Sequence, residues 1–179
     1  MWAFIGWIGA LIASFVTYLF TAKHYKKQKY FEFNQKRLDE FYGPMVGILK
    51  KIKANIKTRQ NVYKAEKEAW QDICKNPPAP SDKDYKPFKK SHEYEEEKFK
   101  NEDIPAYDEM LRIFEDKKSL AYPSTKKWFN RFSEYVDHWH RPLPWQVLEK
   151  IDIKESEFEE FYTDLENRAD SLVKKLSGE

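Results

Sequence analysis

Hydrophobic positions open the chain as one unbroken run and only afterwards settle into a periodic pattern. Trp2 to Ala22 carries no charged residue. About 20 consecutive apolar residues are what a bilayer core requires, so the pattern predicts a transmembrane helix over residues 1–22. A secretory signal is disfavoured, because nothing basic precedes the run and Tyr18, Leu19 and Phe20 stand where a cleavage site needs small residues. Beyond it Tyr30, Phe31, Phe33, Leu38 and Phe41 continue at helical spacing. They predict a basic helical extension over 23–43, stopped at Gly43-Pro44, since glycine can end a helix and proline begin one.

The periodic part then reads as helices throughout. Ile48, Leu49, Ile52, Ile56, Tyr63 and Trp70 predict a helix from Pro44 to about Ile73. The four prolines between Asn76 and Pro87 predict a loop. Residues 88–103 are charge-rich, and Phe88, Tyr94 and Phe99 leave two readings open, a solvated helix or a mobile insertion. Pro105 opens a helix through Met110, Leu111 and Phe114. Pro123 opens another, running to about His140 before Pro142 and Pro144. The last helix is expected from about Lys154 to Leu176, with Phe158, Phe161, Tyr162, Leu165, Leu172 and Leu176 inward and Gly178 as its cap. The fold class is therefore all-α. One amino-terminal transmembrane helix precedes a four- or five-helix cytoplasmic bundle over 44–179.

Composition narrows the setting. Hydrophobic residues make up 41% and charged residues 35%, the balance of a globular chain. A single cysteine, Cys74, excludes an internal disulfide and agrees with a reducing compartment. No Cys/His spacing suggests zinc, and neither metal nor cofactor is expected. The net charge of +2 hides an asymmetry: residues 23–60 hold 11 Lys/Arg against 3 Asp/Glu, and residues 61–179 hold 21 against 27. Lys23, Lys26, Lys27 and Lys29 follow the apolar run directly, and basic flanks stay in the cytoplasm. The expected location is the inner cell membrane, crossed once, with the amino terminus outside and the carboxy-terminal domain cytoplasmic. Anionic lipid would attract this block at about 1 kcal/mol per basic residue; RNA phosphates are the other partner it suits.

Two features carry candidate function. At 100° per residue Ala3, Gly6, Ala10, Ala13 and Thr17 share one narrow face of the first helix, opposite Phe4, Ile8, Leu11, Phe15, Tyr18 and Leu19. Small residues let helices approach closely, so this face is expected either to pack against other copies or, in a larger ring, to line an opening. With one span per chain, any channel needs several copies. In the helix after Pro123, Trp128, Phe132, Tyr135 and Trp139 form a buried face, and Arg131, Glu134 and His138 a polar stripe at its rim.

Arg131, six residues and His138 resemble the R-x4–6-H signature of the higher-eukaryote-and-prokaryote nucleotide-binding (HEPN) superfamily of helical bundles. That resemblance implies metal-independent RNA cleavage, with histidine moving a proton and arginine holding the phosphate. The chain departs from the active pattern, in which a polar residue commonly follows the arginine, because here Phe132 follows. Structural ion pairing of Arg131 with Glu134 or Asp137, a nucleotide-facing regulatory site, and cleavage are the alternatives. Enzymatic activity is thus open, and no residue is assigned as catalytic on this basis.

One apolar amino-terminal helix, a basic collar, a helical body and this degenerate motif together resemble the accessory membrane proteins of type VI-B CRISPR loci. The resemblance implies a ring of eight subunits forming a membrane pore beside an RNA-guided RNA-cleaving effector, depolarising the membrane during phage infection. A membrane-tethered ribonuclease and a single-span tether for a partner are the rival expectations.

Overall fold

A computed structural model describes residues 2–75, 81–141 and 155–178, with side chains from Phe15 onward apart from Val16, Asp82 and Glu155. The described part is all-α. Helix α1 runs from Trp2 to Arg37 and helix α2 from Gly43 to Lys75, and they are not separated by a break. A π-helical turn, Leu38–Tyr42, joins them into one rod. Helices α3 (Asp82–Lys98) and α4 (Ile104–Lys117) are joined in the same way by a second π-helical turn, Phe99–Asp103. A short helix α5 (Pro123–Lys126), helix α6 (Phe129–His140), a 3-10 turn (Glu155–Phe158) and helix α7 (Glu159–Ser177) complete the bundle.

Both joints have one cause. Pro44 and Pro105 stand two residues past the π turns, and proline can neither donate to the preceding turn nor tolerate its carbonyl at α-helical distance. Widening the ladder by one residue absorbs the conflict. Gly43 N–H reaches back to the Leu38 carbonyl, and Ile104 N–H to that of Phe99, five residues earlier in each case. A Cβ on Gly43 would lie 2.8 Å from the Leu38 carbonyl oxygen, so this position admits only glycine without a shift. The expected stop at Gly43-Pro44 is therefore corrected to a bulge inside a continuous helix.

The core lies where α2, α4, α6 and α7 meet. Phe41, Tyr42, Met45, Leu49, Met110, Phe114, Phe132, Phe158, Phe161, Leu165 and Leu172 are fully buried there. Phe114 stacks on Phe161, and Phe132 meets Phe158 edge to face. Burying side chains of this kind contributes about 1.5–3 kcal/mol each, which is why the periodic aromatic positions hold the bundle. Leu176 is only half-buried, and α7 starts at Glu159 after the 3-10 turn, later than the expected Lys154, which lies outside the described residues. Gly178 ends α7 in the left-handed conformation at φ 84°.

Residues 88–103 are helical, as is the stretch before them. Ser81 and Asp84 form a reciprocal capping box at the start of α3. Pro87 therefore sits inside a helix, and the expected loop over 76–87 is corrected for 82–87; residues 76–80 lie outside the described set.

The expectation for the amino terminus is overturned. Among the described residues no helix is long and apolar enough to cross a membrane. The transmembrane helix over 1–22, and with it the single-pass inner-membrane location with the amino terminus outside, is corrected accordingly. The physical reason is visible in α1 from Phe15 onward. Its apolar side chains are interleaved with Thr17, Tyr18 and Thr21, and the same unbroken helix then carries Lys23, His24, Lys26 and Lys27.

Candidate functional site

Helix α6 presents the sequence motif. Phe132 and Tyr135 are buried as expected, while Trp128 and Trp139 are half-buried at the edges of the aromatic cluster. Arg131 and His138 stand two turns, about 10 Å, apart along the helix and take different environments. Arg131 is part-exposed, and its guanidinium donates to Glu157 at 3.0 Å and, more weakly, to Glu134 at 3.5 Å. The Glu157 contact, ahead of that to Glu134, holds Arg131 above its ordinary pKa. This arrangement ties α6 to the 3-10 turn before α7.

His138 is 5% exposed and lies against the Trp139 ring. Burial, reinforced by the Arg141 charge and opposed by Asp137, pushes its pKa below the ordinary value. The rim placement expected from helix geometry is thus corrected to burial. Phe129 and Val136 pack inward as well as the four aromatics, so the buried arc of α6 is wide enough to take in His138. The expected alternative partner Asp137 pairs with Arg141 at 2.6 Å instead. Chemically, an arginine engaged by two carboxylates and a neutral, buried imidazole fit a structural role for this stripe. Among the described residues no group of three His, Cys, Asp or Glu side chains stands where it would hold a metal ion.

Sequence reasoning missed the polar contacts that fix the rod against the bundle. Tyr42 is buried, accepts from the Tyr122 backbone N–H at 2.9 Å and shares a 2.9 Å hydrogen bond with Thr125. Thr125 in turn donates to Asp164 at 2.6 Å. Arg37 lies over the Phe33 and Tyr122 rings, at 4.5 and 4.1 Å from their centroids. At the second joint Asp103, 1% exposed, accepts from Asn55 at 2.7 Å and from Arg59. His140 meets Asp108 at 2.7 Å, joining α6 to α4. Apart from Arg37 and Phe33, these partners lie tens of residues apart, and no local spacing announces them.

The amino-terminal helix is the other candidate. Only its last turns reach the body, where Asn34 is buried and α1 meets the first π turn and α7. Between Phe15 and Phe33 no described side chain of α1 is buried. Phe15, Tyr18, Leu19 and Phe20 are 62%, 68%, 50% and 72% exposed, and Tyr25, Tyr30, Phe31 and Phe33 are exposed as well. At 100° per residue these eight side chains spread over about two thirds of the helix circumference, and Thr17, Thr21, His24, Gln28 and Glu32 fill the remaining face. Lys23, Lys26, Lys27 and Lys29 lie on the same exposed stretch, with Lys29 bridging to Glu32 at 3.0 Å. Thr17 is exposed, while the side chains of Ala3, Gly6, Ala10 and Ala13 lie outside the described set on a helical backbone.

Comparison with protein-family models, with curated proteins and with solved structures finds no match to this chain.

Proposed function

We propose that the protein is an assembly module, in which the amino-terminal helices of several copies bury one another and the helical bodies surround them. The observation that carries this reading is the row of large aromatic and aliphatic side chains that α1 leaves exposed from Phe15 to Phe33. Large contiguous apolar surface on a single chain marks an interaction site. Among the described residues nothing covers this surface. Several identical helices around a common axis would cover it where they face one another, and a face with Ala3, Gly6, Ala10, Ala13 and Thr17 would let them approach closely.

The resemblance to type VI-B accessory proteins supports a multi-copy state, and any part in antiviral defence beside an RNA-guided effector rests on that resemblance alone. The proposal takes from it the assembly and not a membrane passage. Arg131 and His138 enter as residues that hold α6 in place.

The test is assembly of variants that place charge on the exposed helix. Phe20→Asp combined with Phe31→Asp is expected to leave the circular dichroism of the body intact and to reduce the particle to a single chain. Unchanged particle mass in that double variant would sink the reading.

A further inference from the structure

Helices α2 and α3 extend past the core as an antiparallel arm, and between Ile52 and Asp103 no described side chain is fully buried. The inner seam of the arm is a short ladder. Asn55 reaches Asp103, Arg59 faces Glu95 at 3.7 Å, Glu66 faces His92 at 4.0 Å, and Trp70 meets Phe88 edge to face at 5.4 Å. Asn55 with Asp103, Glu66 with His92 and Trp70 with Phe88 keep one register, and Arg59 between them reaches both Glu95 and Asp103. That register sets Asn61 level with Glu97 and Glu68 with Lys90, and Lys64 within one residue of Glu93.

Those residues lie on the two outer edges of the arm, not in the seam. Asn61, Lys64 and Glu68 follow at three- and four-residue spacing on the side of α2 turned away from α3. Lys90, Glu93 and Glu97 do the same on the side of α3 turned away from α2, and all six are exposed. Lys64, Glu68, Lys90 and Glu97 make no ion pair within the described chain, and Glu93 has only a long contact of 3.9 Å to Lys89.

We infer that the arms of neighbouring copies pack edge to edge, α2 of one copy against α3 of the next at the same level. Lys64 then meets Glu93, Asn61 meets Glu97, and Glu68 meets Lys90. Lys57 falls within one residue of Lys100, whose charge is already held by Glu96 at 2.6 Å. The contact joins two different surfaces, which is the head-to-tail arrangement that closes into a ring. A two-fold contact of the α2 edge with itself would instead oppose Lys57 and Lys64 to their own copies. Exposed ion pairs are individually weak, so this contact sets the register of copies already gathered by α1, where effective concentration is high. The inference rests on the assembly reading above.

Charge reversal on the full chain tests it. Lys64→Glu and Glu93→Lys, made separately, are each expected to lose the closed particle in favour of smaller species, at unchanged helix content. The double variant Lys64→Glu/Glu93→Lys is expected to recover it, and so is an equimolar mixture of the two single variants, since a head-to-tail ring can alternate them. Single variants that assemble like the wild type overturn the arm contact alone and leave these edges to another partner. A double variant that stays dissociated also overturns it. A wild-type chain that is itself monomeric overturns the assembly reading as well.

Discussion

Replacing Tyr42 with phenylalanine removes one oxygen from a fully buried position and changes nothing else in shape. In the native protein that oxygen accepts from the Tyr122 N–H at 2.9 Å and is bonded to Thr125 at 2.9 Å, while Thr125 donates onward to Asp164 at 2.6 Å. With the Asp164 carboxylate taking the Thr125 proton, the Tyr42 hydroxyl donates to Thr125. The variant therefore loses two hydrogen bonds and leaves a backbone donor without an acceptor. Net bonds contribute about 0.5–1.5 kcal/mol each, and an abandoned buried donor costs about 1–3 kcal/mol. Tyr122 is only half-buried, so water recovers part of this, and the expected loss is about 2–3 kcal/mol. For a chain of this size each kcal/mol moves Tm by about 2–4 °C, which gives a fall of about 4–12 °C followed at 222 nm. Thr125→Val should couple to it, the double variant losing clearly less than the two singles together. A loss below about 0.5 kcal/mol, or strict additivity, would refute the claim that this chain of hydroxyls pins the rod to α5 and α7.

Gly43→Ala forces a Cβ to within 2.8 Å of the Leu38 carbonyl oxygen; urea unfolding should show a loss of about 1–3 kcal/mol, whereas Gly47→Ala, with open space around it, should be neutral or stabilising. Asp103→Ala leaves Arg59 and Asn55 without their buried acceptor, and the same assay should register about 2–3 kcal/mol. Burial lowers the pKa of His138, so the unfolded chain binds more protons than the folded one. Stability is then full above the ordinary histidine value of about 6.5 and falls as pH drops from there through the lower folded pKa. His138→Gln should flatten the stability profile between about pH 7 and 5, and an unchanged slope would contradict the assigned burial.

Much of the bundle was legible because burial follows period. Phe158, Phe161, Tyr162, Leu165 and Leu172 recur at helical spacing and are buried in α7 and the 3-10 turn before it, and Pro105 and Pro123 stand at the first turns of α4 and α5. Gly43-Pro44 misled because a missing N–H is compatible either with a helix end or with a π turn, and only the bond from Gly43 to Leu38 tells them apart. Pro87 misled for a related reason, since the capping box of Ser81 and Asp84 starts the helix before it. At the candidate site the helical spacing offered Glu134 or Asp137 as partners of Arg131, of which Glu134 is in reach, but it did not announce Glu157, which comes from another element. His138 read as a rim residue because the arc was drawn from four aromatics and omitted Phe129 and Val136. The uncharged run at the amino terminus read as a membrane span because an apolar stretch alone does not say which surface covers it.

The most direct measurement is the mass of the intact particle by size-exclusion chromatography with light scattering, in mild detergent and at several concentrations. A single chain weighs 21.6 kDa. The assembly reading predicts a defined multiple of that mass that persists on dilution and collapses in the Phe20→Asp/Phe31→Asp variant. A wild-type protein that elutes and scatters as one chain throughout would contradict it.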